Sequence, residues 1–313
     1  MSKIYVAGHS GLVGSAIVRQ IEALGIDTWI GASRTELDLS DPRRVNEFMS
    51  SESPDVVIVA AARVGGIGAN SAYPVEFLTE NLKIEMNLIE ASFACDVPKV
   101  LFLGSSCIYP RMAPQPIKEE FLLTGELEPT NEPYALSKIA GIKLIQAYRS
   151  QYGRKWISAM PTNLYGPNDN FNMESSHVLP AMLRRYHEAK VSGSRAVTMW
   201  GSGTPRREFL HVDDLARACL LLLDEYDNPM PINVGCGADV SIRELAETIS
   251  RVVGFEGHIE WDVSRPDGTP QKLLDTSRII SLGWKPQIEL EDGIRTTYAW
   301  FQEAIAVGSR MRI

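Results

Sequence analysis

A glycine run set between a short apolar strand and a helix constrains this chain more than any other feature. Lys3-Ile4-Tyr5-Val6-Ala7 has strand character, Gly8-His9-Ser10-Gly11-Leu12-Val13-Gly14 follows as G-x-x-G-x-x-G, and Leu12 to Leu24 continues with helical spacing up to Gly25, a helix stop. A backbone without side chains at such a turn can approach a pyrophosphate, and the helix N-terminus offers N–H donors and a partial positive charge. Short apolar strands recur at Thr28 to Ile30, Asp55 to Ala60, Lys99 to Leu103 and Trp156 to Met160. Helical stretches lie between them at Pro42 to Ser50, Pro74 to Ala94 and Tyr134 to Tyr152. This alternation predicts a parallel sheet with helices on both faces.

The α/β pattern is that of a Rossmann-type doubly wound domain, expected over residues 1–167. Beyond Pro167 the texture changes. Asn168 to Ser176 is polar and turn-rich, and later elements are short and punctuated by Gly and Pro, so a smaller C-terminal α/β substrate-binding lobe is expected over residues 168–313. Arg207 to Glu225 and Ile232-Asn233-Val234 read again as helix and strand, and about 208–235 is expected to return to the main sheet. At 313 residues, 44% of them hydrophobic, the chain is long enough for two such units. The helices of 73–94 and from Tyr134 carry apolar residues on more than one face, which fits either burial or pairing across a dimer.

Charge and cysteine usage narrow the function classes. Lys and Arg number 31 against 39 Asp and Glu, a net charge of −8 that argues against nucleic acid and anionic membranes as partners. Any anionic ligand must then be held by a local cationic niche, for which Arg184-Arg185, Lys190 and Arg206-Arg207 are candidates. No apolar run approaches the about 20 residues needed to cross a bilayer, and Met1-Ser2-Lys3 leads straight into the first strand, so a cytoplasmic location is expected. Cys95, Cys107, Cys219 and Cys236 lie far apart with no C-x-x-C pair, which indicates free thiols and no metal site.

Where the second strand ends, an NAD-preferring site usually carries an Asp or Glu for the ribose. Here Ile30-Gly31-Ala32-Ser33-Arg34 has no acid before Glu36, and an Arg with a Ser suits a 2′-phosphate, so NADP is expected. Tyr134-Ala135-Leu136-Ser137-Lys138, at a helix start after Pro133, puts a phenol and an ammonium on one face. Bringing a phenol from about 10 to about 7 takes roughly 4 kcal/mol, which a positive charge at about 4 Å in an effective dielectric of about 20 supplies. Lys138 is therefore expected to lower the Tyr134 pKa and so to help it protonate a carbonyl oxygen. Gly104-Ser105-Ser106, at the end of an intervening strand, adds a hydroxyl to the set.

The glycine turn, Ser105 and Tyr134 with Lys138 together resemble the extended short-chain dehydrogenase/reductase family. Longer stretches, Gly104 to Pro110, Glu128 to Tyr134, Met160 to Pro167, Ser176-His177-Val178 and Arg184-Arg185, are similar to its GDP-L-fucose synthase branch over essentially the whole chain. The resemblance implies NADP(H), a GDP-sugar substrate and a homodimer built on a four-helix bundle. It further implies conversion of GDP-4-keto-6-deoxy-D-mannose to GDP-L-fucose by 3,5-epimerisation and reduction of the C4 ketone in one pocket. The implied catalytic set is Tyr134 as acid, Lys138 as its helper, Ser105 polarising the carbonyl, and Cys107 with His177 as the epimerisation acid/base pair. Cofactor contacts are implied for Gly8, His9, Ser10, Gly11, Leu12, Val13, Gly14, Arg34, Asp38, Leu39, Leu103, Gly104, Ser106, Lys138, Pro161, Thr162, Asn163, Leu164 and His177. Asn163 to Tyr165 are expected beside the nicotinamide, and Arg185, Trp200, Arg207 and Asp267 against the GDP-sugar.

Three competing readings remain at this point. They are a reductase for a GDP-4-keto-3,6-dideoxy sugar, as in GDP-L-colitose formation, an NAD-dependent nucleotide-sugar 4-epimerase, and a module that senses the dinucleotide without turnover. Dehydratases of the superfamily usually carry Thr-Asp-Glu where Ser105-Ser106-Cys107 stands, which disfavours them.

Overall fold

The computed structural model describes residues 2–25, 28–264 and 267–308. Strand β1 (Lys3–Ala7), helix α1 (Leu12–Leu24), β2 (Thr28–Ile30), α2 (Pro42–Glu52), β3 (Val56–Val59), α3 (Ile67–Ala72), α4 (Pro74–Ala94), β4 (Lys99–Leu103), α5 (Glu132–Tyr152) and β5 (Ile157–Pro161) follow one another along the chain. Next come β6 (Asn163–Tyr165), α6 (Val178–Ser192), β7 (Ala196–Trp200), β8 (Arg206–His211), α7 (Val212–Glu225) and β9 (Ile232–Val234). The C-terminal elements are β10 (Asp239–Ser241), α8 (Ile242–Val253), β11 (His258–Asp262), β12 (Gln271–Lys272), α9 (Ser277–Ser281) and α10 (Leu290–Ala306).

Six strands form a wholly parallel sheet in the order β2-β1-β3-β4-β5-β9. The residues of β3 and β5 are buried throughout, which is what a parallel sheet covered on both faces requires of its strands. On one face Ile17 and Ile21 of α1 meet Leu215 and Leu222 of α7. On the other, Met49 of α2, Leu88 of α4 and Ile142 of α5 pack around Phe102 and Trp156. The strand order reverses between β1 and β3, so the crevice at their carboxyl ends opens directly beside the glycine turn.

A second core gathers Tyr165, Phe171, Tyr186, Leu245, Ile249 and Phe301 from β6, α6, α8, α10 and the intervening loop. Beside it β8 pairs with β6, β10 and β12, and β7 pairs with β11. One expectation changes. Residues 206–211 are strand, not the start of a helix, and α7 begins only at Val212, capped by His211 Nδ1 accepting from Asp213 N at 3.2 Å. Pairing on both edges with β6, β10 and β12 outweighs the helical spacing of Phe209 and Leu210. Among the described residues, no helix is long and apolar enough to cross a membrane.

Candidate active site

The glycine turn leaves β1 with Gly8 at φ +86°, where a Cβ would sit 2.8 Å from the Ala61 backbone nitrogen, and a Cβ on Gly14 would run into the Gly8 carbonyl. Only glycine allows both approaches. Gly11 N-caps α1 without a side-chain hydrogen bond and the first turn holds no acid, so its N–H groups and positive end are left for an anion. Leu12 and Val13 pack their side chains on the core and can offer only backbone. His9 Nδ1 is buried with no partner. Arg34 is exposed past β2, while Glu36 turns back to accept from the Ser33 amide and hydroxyl at 2.8 and 2.7 Å, which holds its carboxyl below the usual range. Asp38 is held low first by hydrogen bonds from Ser40, with Arg34 and Arg44 adding to them. Leu39 packs on the core and its carbonyl accepts from Asn87. An uncapped helix end, an orphaned imidazole nitrogen and a second-strand terminus whose first acid is already engaged fit a dinucleotide with a phosphorylated ribose.

At the carboxyl ends of β4 and β5 the remaining expected contacts fall on neighbouring strands. The Leu103 carbonyl accepts from Lys138 Nζ at 3.0 Å, and Gly104 and Ser106 are buried. Pro161 ends β5, the Thr162 hydroxyl and Asn163 amide both donate to the Glu208 carbonyl, at 3.3 and 2.8 Å, and Leu164 packs on the first core. Tyr165 departs from expectation. Because β6 pairs with β8, its side chain enters the second core and its hydroxyl donates to the Leu290 carbonyl.

The helix register of α5 delivers Tyr134 and Lys138 to one side. Lys138 is buried, and its Nζ lies 3.0 Å from Glu85 Oε1 of α4 and 5.9 Å from the Tyr134 ring centroid. Tyr134 is hydrogen-bonded to Ser105, and its phenol is pushed up, chiefly by burial and further by Cys107 and Glu85. The phenol is thus raised where a lowering by Lys138 was expected: Lys138 is not among the groups that shift it, and its ammonium faces the Glu85 carboxylate. A protonated phenol is the form that donates.

Cys107 sits half-buried in a 3₁₀ turn (Ser106–Ile108) after β4, its amide donating to Ser105 Oγ at 3.2 Å. Two donors aim at its sulfur, Asn131 Nδ2 at 3.3 Å and Lys272 Nζ of β12 at 3.6 Å. His177, the N-cap residue of α6, is solvent-accessible. Burial and then the Lys272 charge hold its imidazole below the ordinary value. Arg207 feels Glu128, Cys107 and Asp267. Ser105, Tyr134, Cys107, His177 and Arg207, drawn from remote stretches of sequence, are thus brought together.

The other expected substrate contacts form a neighbouring wall. Arg185 lies over the Trp200 ring at 5.9 Å and donates to the Thr198 carbonyl at 2.7 Å, and the pair lines a cleft of about 530 Å³ with Glu188 and Ser192. Asp267 accepts from the Ser202 amide and hydroxyl at 2.7 and 2.8 Å, so it braces the turn that follows Trp200. Arg184, Lys190 and Arg206 are committed elsewhere, to Glu188, to the Val253 carbonyl and to Asp239. Sequence reasoning missed Lys272, Asn131 and Glu85. Asn131 stands inside the Glu128 to Tyr134 stretch, and Glu85 interrupts the buried face Phe77, Asn81, Leu88 of α4, which was a readable signal.

The chain matches the NAD dependent epimerase/dehydratase family over residues 4–235. Over 300 residues it is 58% identical to GDP-L-fucose synthase 1 of Arabidopsis thaliana, spanning 96% of this chain and 93% of that one. Over 310 residues it is 54% identical to the GDP-L-fucose synthase of Escherichia coli strain K12, spanning 96% and 97%. A crystal structure of a GDP-L-fucose synthetase from Naegleria fowleri bound to NADP superposes with a TM-score of 0.91 at 28% identity, covering 100% of this chain and 96% of that one. With the parallel sheet, the glycine turn and the Tyr134–Lys138 pair already in place, the chain belongs to the NAD dependent epimerase/dehydratase family.

Proposed function

We propose that this protein converts GDP-4-keto-6-deoxy-D-mannose to GDP-L-fucose, inverting C3 and C5 and reducing the C4 ketone with NADPH. The observation that carries the reading is that Cys107 neighbours Tyr134 while Lys272 reaches the Cys107 sulfur at 3.6 Å and acts on the His177 imidazole. Identity of 54–58% to GDP-L-fucose synthases over nearly the whole chain supports the substrate.

Protons at C3 and C5 lie α to the ketone, so each can leave once the enolate oxygen is stabilised, here by Ser105 and Tyr134. Inversion requires removal on one face of the sugar and return on the other, the work of Cys107 and His177 as a pair. Negative charge reaching the Cys107 sulfur is met by Asn131 and Lys272. Bound NADPH supplies the hydride for C4. Tyr134 gives its proton to the C4 oxygen, oriented by Ser105. In this reading the α1 N-terminus, His9 and Arg34 hold the dinucleotide phosphates, Arg207 the sugar diphosphate, and Arg185 with Trp200 the nucleoside end, Asp267 bracing that wall. Residues 1–167 with about 208–235 form the dinucleotide unit and the rest the substrate lobe.

A homodimer through α4 and α5 accounts for exposed Val75, Met86 and Leu136 on those helices. The four free cysteines fit a reducing, cytoplasmic compartment. Incubation with GDP-4-keto-6-deoxymannose and NADPH in deuterated water tests the function. One NADPH is consumed per product and deuterium enters at C3 and C5. A 4-epimerase or a sensing module gives no net NADPH loss, and faster turnover of the 3,6-dideoxy sugar replaces the assigned substrate.

A further inference from the structure

Glu85 has no part in the chemistry above, yet it occupies a costly position. It is 1% exposed in the α4–α5 interface, and neither carboxylate oxygen has a well-aligned hydrogen bond. Its Oε1 nevertheless stands 3.0 Å from Lys138 Nζ. Room for the carboxylate comes from Gly141 on α5, where a Cβ would lie 2.9 Å from Glu85 Oε2 and would collide with Phe102. Asn81, one helical turn earlier, spends its side chain on Arg63 and the Phe77 carbonyl and gives Glu85 nothing. A carboxylate that only packed two helices would be better replaced by an apolar side chain, since burial disfavours its charge. What it does is present a negative charge to one ammonium.

We propose that Glu85 is a positioning residue for the reduction: it fixes the Lys138 ammonium against the Leu103 carbonyl. The proposal rests on the reductase reading and goes beyond it. Held between a carboxylate and a carbonyl, the Lys138 ammonium has a defined place from which its remaining N–H can serve the crevice. Among the described residues, the charged group acting on Glu85 is Lys138 from α5; Tyr134 feels Glu85 from α4 and Cys107 from the turn after β4, with Ser105 as its hydrogen-bond partner.

The test compares two reactions in one enzyme. Glu85→Gln keeps shape and removes the charge that holds the Lys138 ammonium. The kcat for NADPH oxidation then falls by about tenfold, while C3 and C5 deuterium exchange, which does not use Lys138, is retained. A folded Glu85→Gln with wild-type reductive kcat, or one that loses exchange in step with reduction, overturns the proposal. Should that variant fail to fold, Glu85→Asp is read instead, since it keeps the anion but draws it back from Lys138. A fall in reductive kcat with exchange retained supports the positioning role, and both falling together, or neither, overturns it. Wild-type enzyme lacking exchange and reduction alike would instead remove the functional reading.

Discussion

Asp169 gives the clearest energetic forecast in the molecule. It lies in the turn that leads from β6 towards His177 and is 5% exposed. One carboxylate oxygen accepts from Asn170 N at 2.7 Å, while the other is buried without a partner. Burial pushes its pKa from 3.8 up to about 7. A raised acid pKa means that the folded state binds the proton more tightly than the unfolded chain. The associated stability is complete below about pH 4 and is lost as pH rises through about 7. Roughly three units at about 1.4 kcal/mol each amount to about 4 kcal/mol. Asp169→Asn removes the titration, and its amide oxygen can still accept from Asn170 N. Its buried NH₂ lacks a partner and costs about 1–3 kcal/mol at every pH, so the informative quantity is the change between two pH values. Urea unfolding at pH 5 and pH 8 should show the variant gaining on the wild type by about 2–3 kcal/mol across that interval, since about two of the three units lie between pH 5 and pH 7. A difference between the two proteins that is the same at both pH values would refute the buried, unpaired carboxyl.

The two chemistries of the proposed reaction should separate by mutation. Tyr134→Phe abolishes NADPH oxidation and spares much of the C3 and C5 exchange, since Ser105 still faces the enolate oxygen, and Cys107→Ser does the reverse; a serine variant exchanging at the wild-type rate removes the thiol from the mechanism. Lys272→Met withdraws a charge 3.6 Å from the Cys107 sulfur, an attraction of about 4–5 kcal/mol at an effective dielectric of about 20 before desolvation is offset, so exchange should slow by about a hundredfold. The same variant relieves His177 of the ammonium that depresses it, and because a neutral imidazole exists only above its pKa, the acid limb of exchange moves to higher pH; an unmoved limb counts against His177. Arg34→Ala should raise the KM for NADPH far more than that for NADH, and equal effects would mean that Arg34 does not touch a 2′-phosphate.

What could be read ahead of the structure follows from where the signal lives. The main sheet was legible because its strands are apolar at every position, as in Val56–Val59, and because the glycine turn fixes where the first one ends. Tyr134 and Lys138 were legible through helical spacing alone. Lys272 was not, since β12 is two residues long and carries no periodicity; only its pairing beside Arg207 on β8 brings it to Cys107. The misread segment before Val212 failed for a related reason, its strand character residing in partners from three other parts of the chain. Lys138 was credited with lowering the phenol because its own neighbour, Glu85, lies 53 positions earlier on a different helix.

That last misreading bears on why one pocket can hold two proton chemistries. Reduction requires a phenol that keeps its proton until the alkoxide forms, whereas epimerisation requires sulfur charge to be accommodated early. A single lysine shared between them would serve one at the expense of the other, because its field would favour ionisation of both. Here the cation beside the phenol is paired with Glu85, while Lys272, the cation facing the thiol, reaches it from the second sheet. The division of labour is therefore electrostatic before it is geometric. It accounts for a chain of net charge −8 setting one carboxylate in its α4–α5 interface where an apolar side chain would pack better.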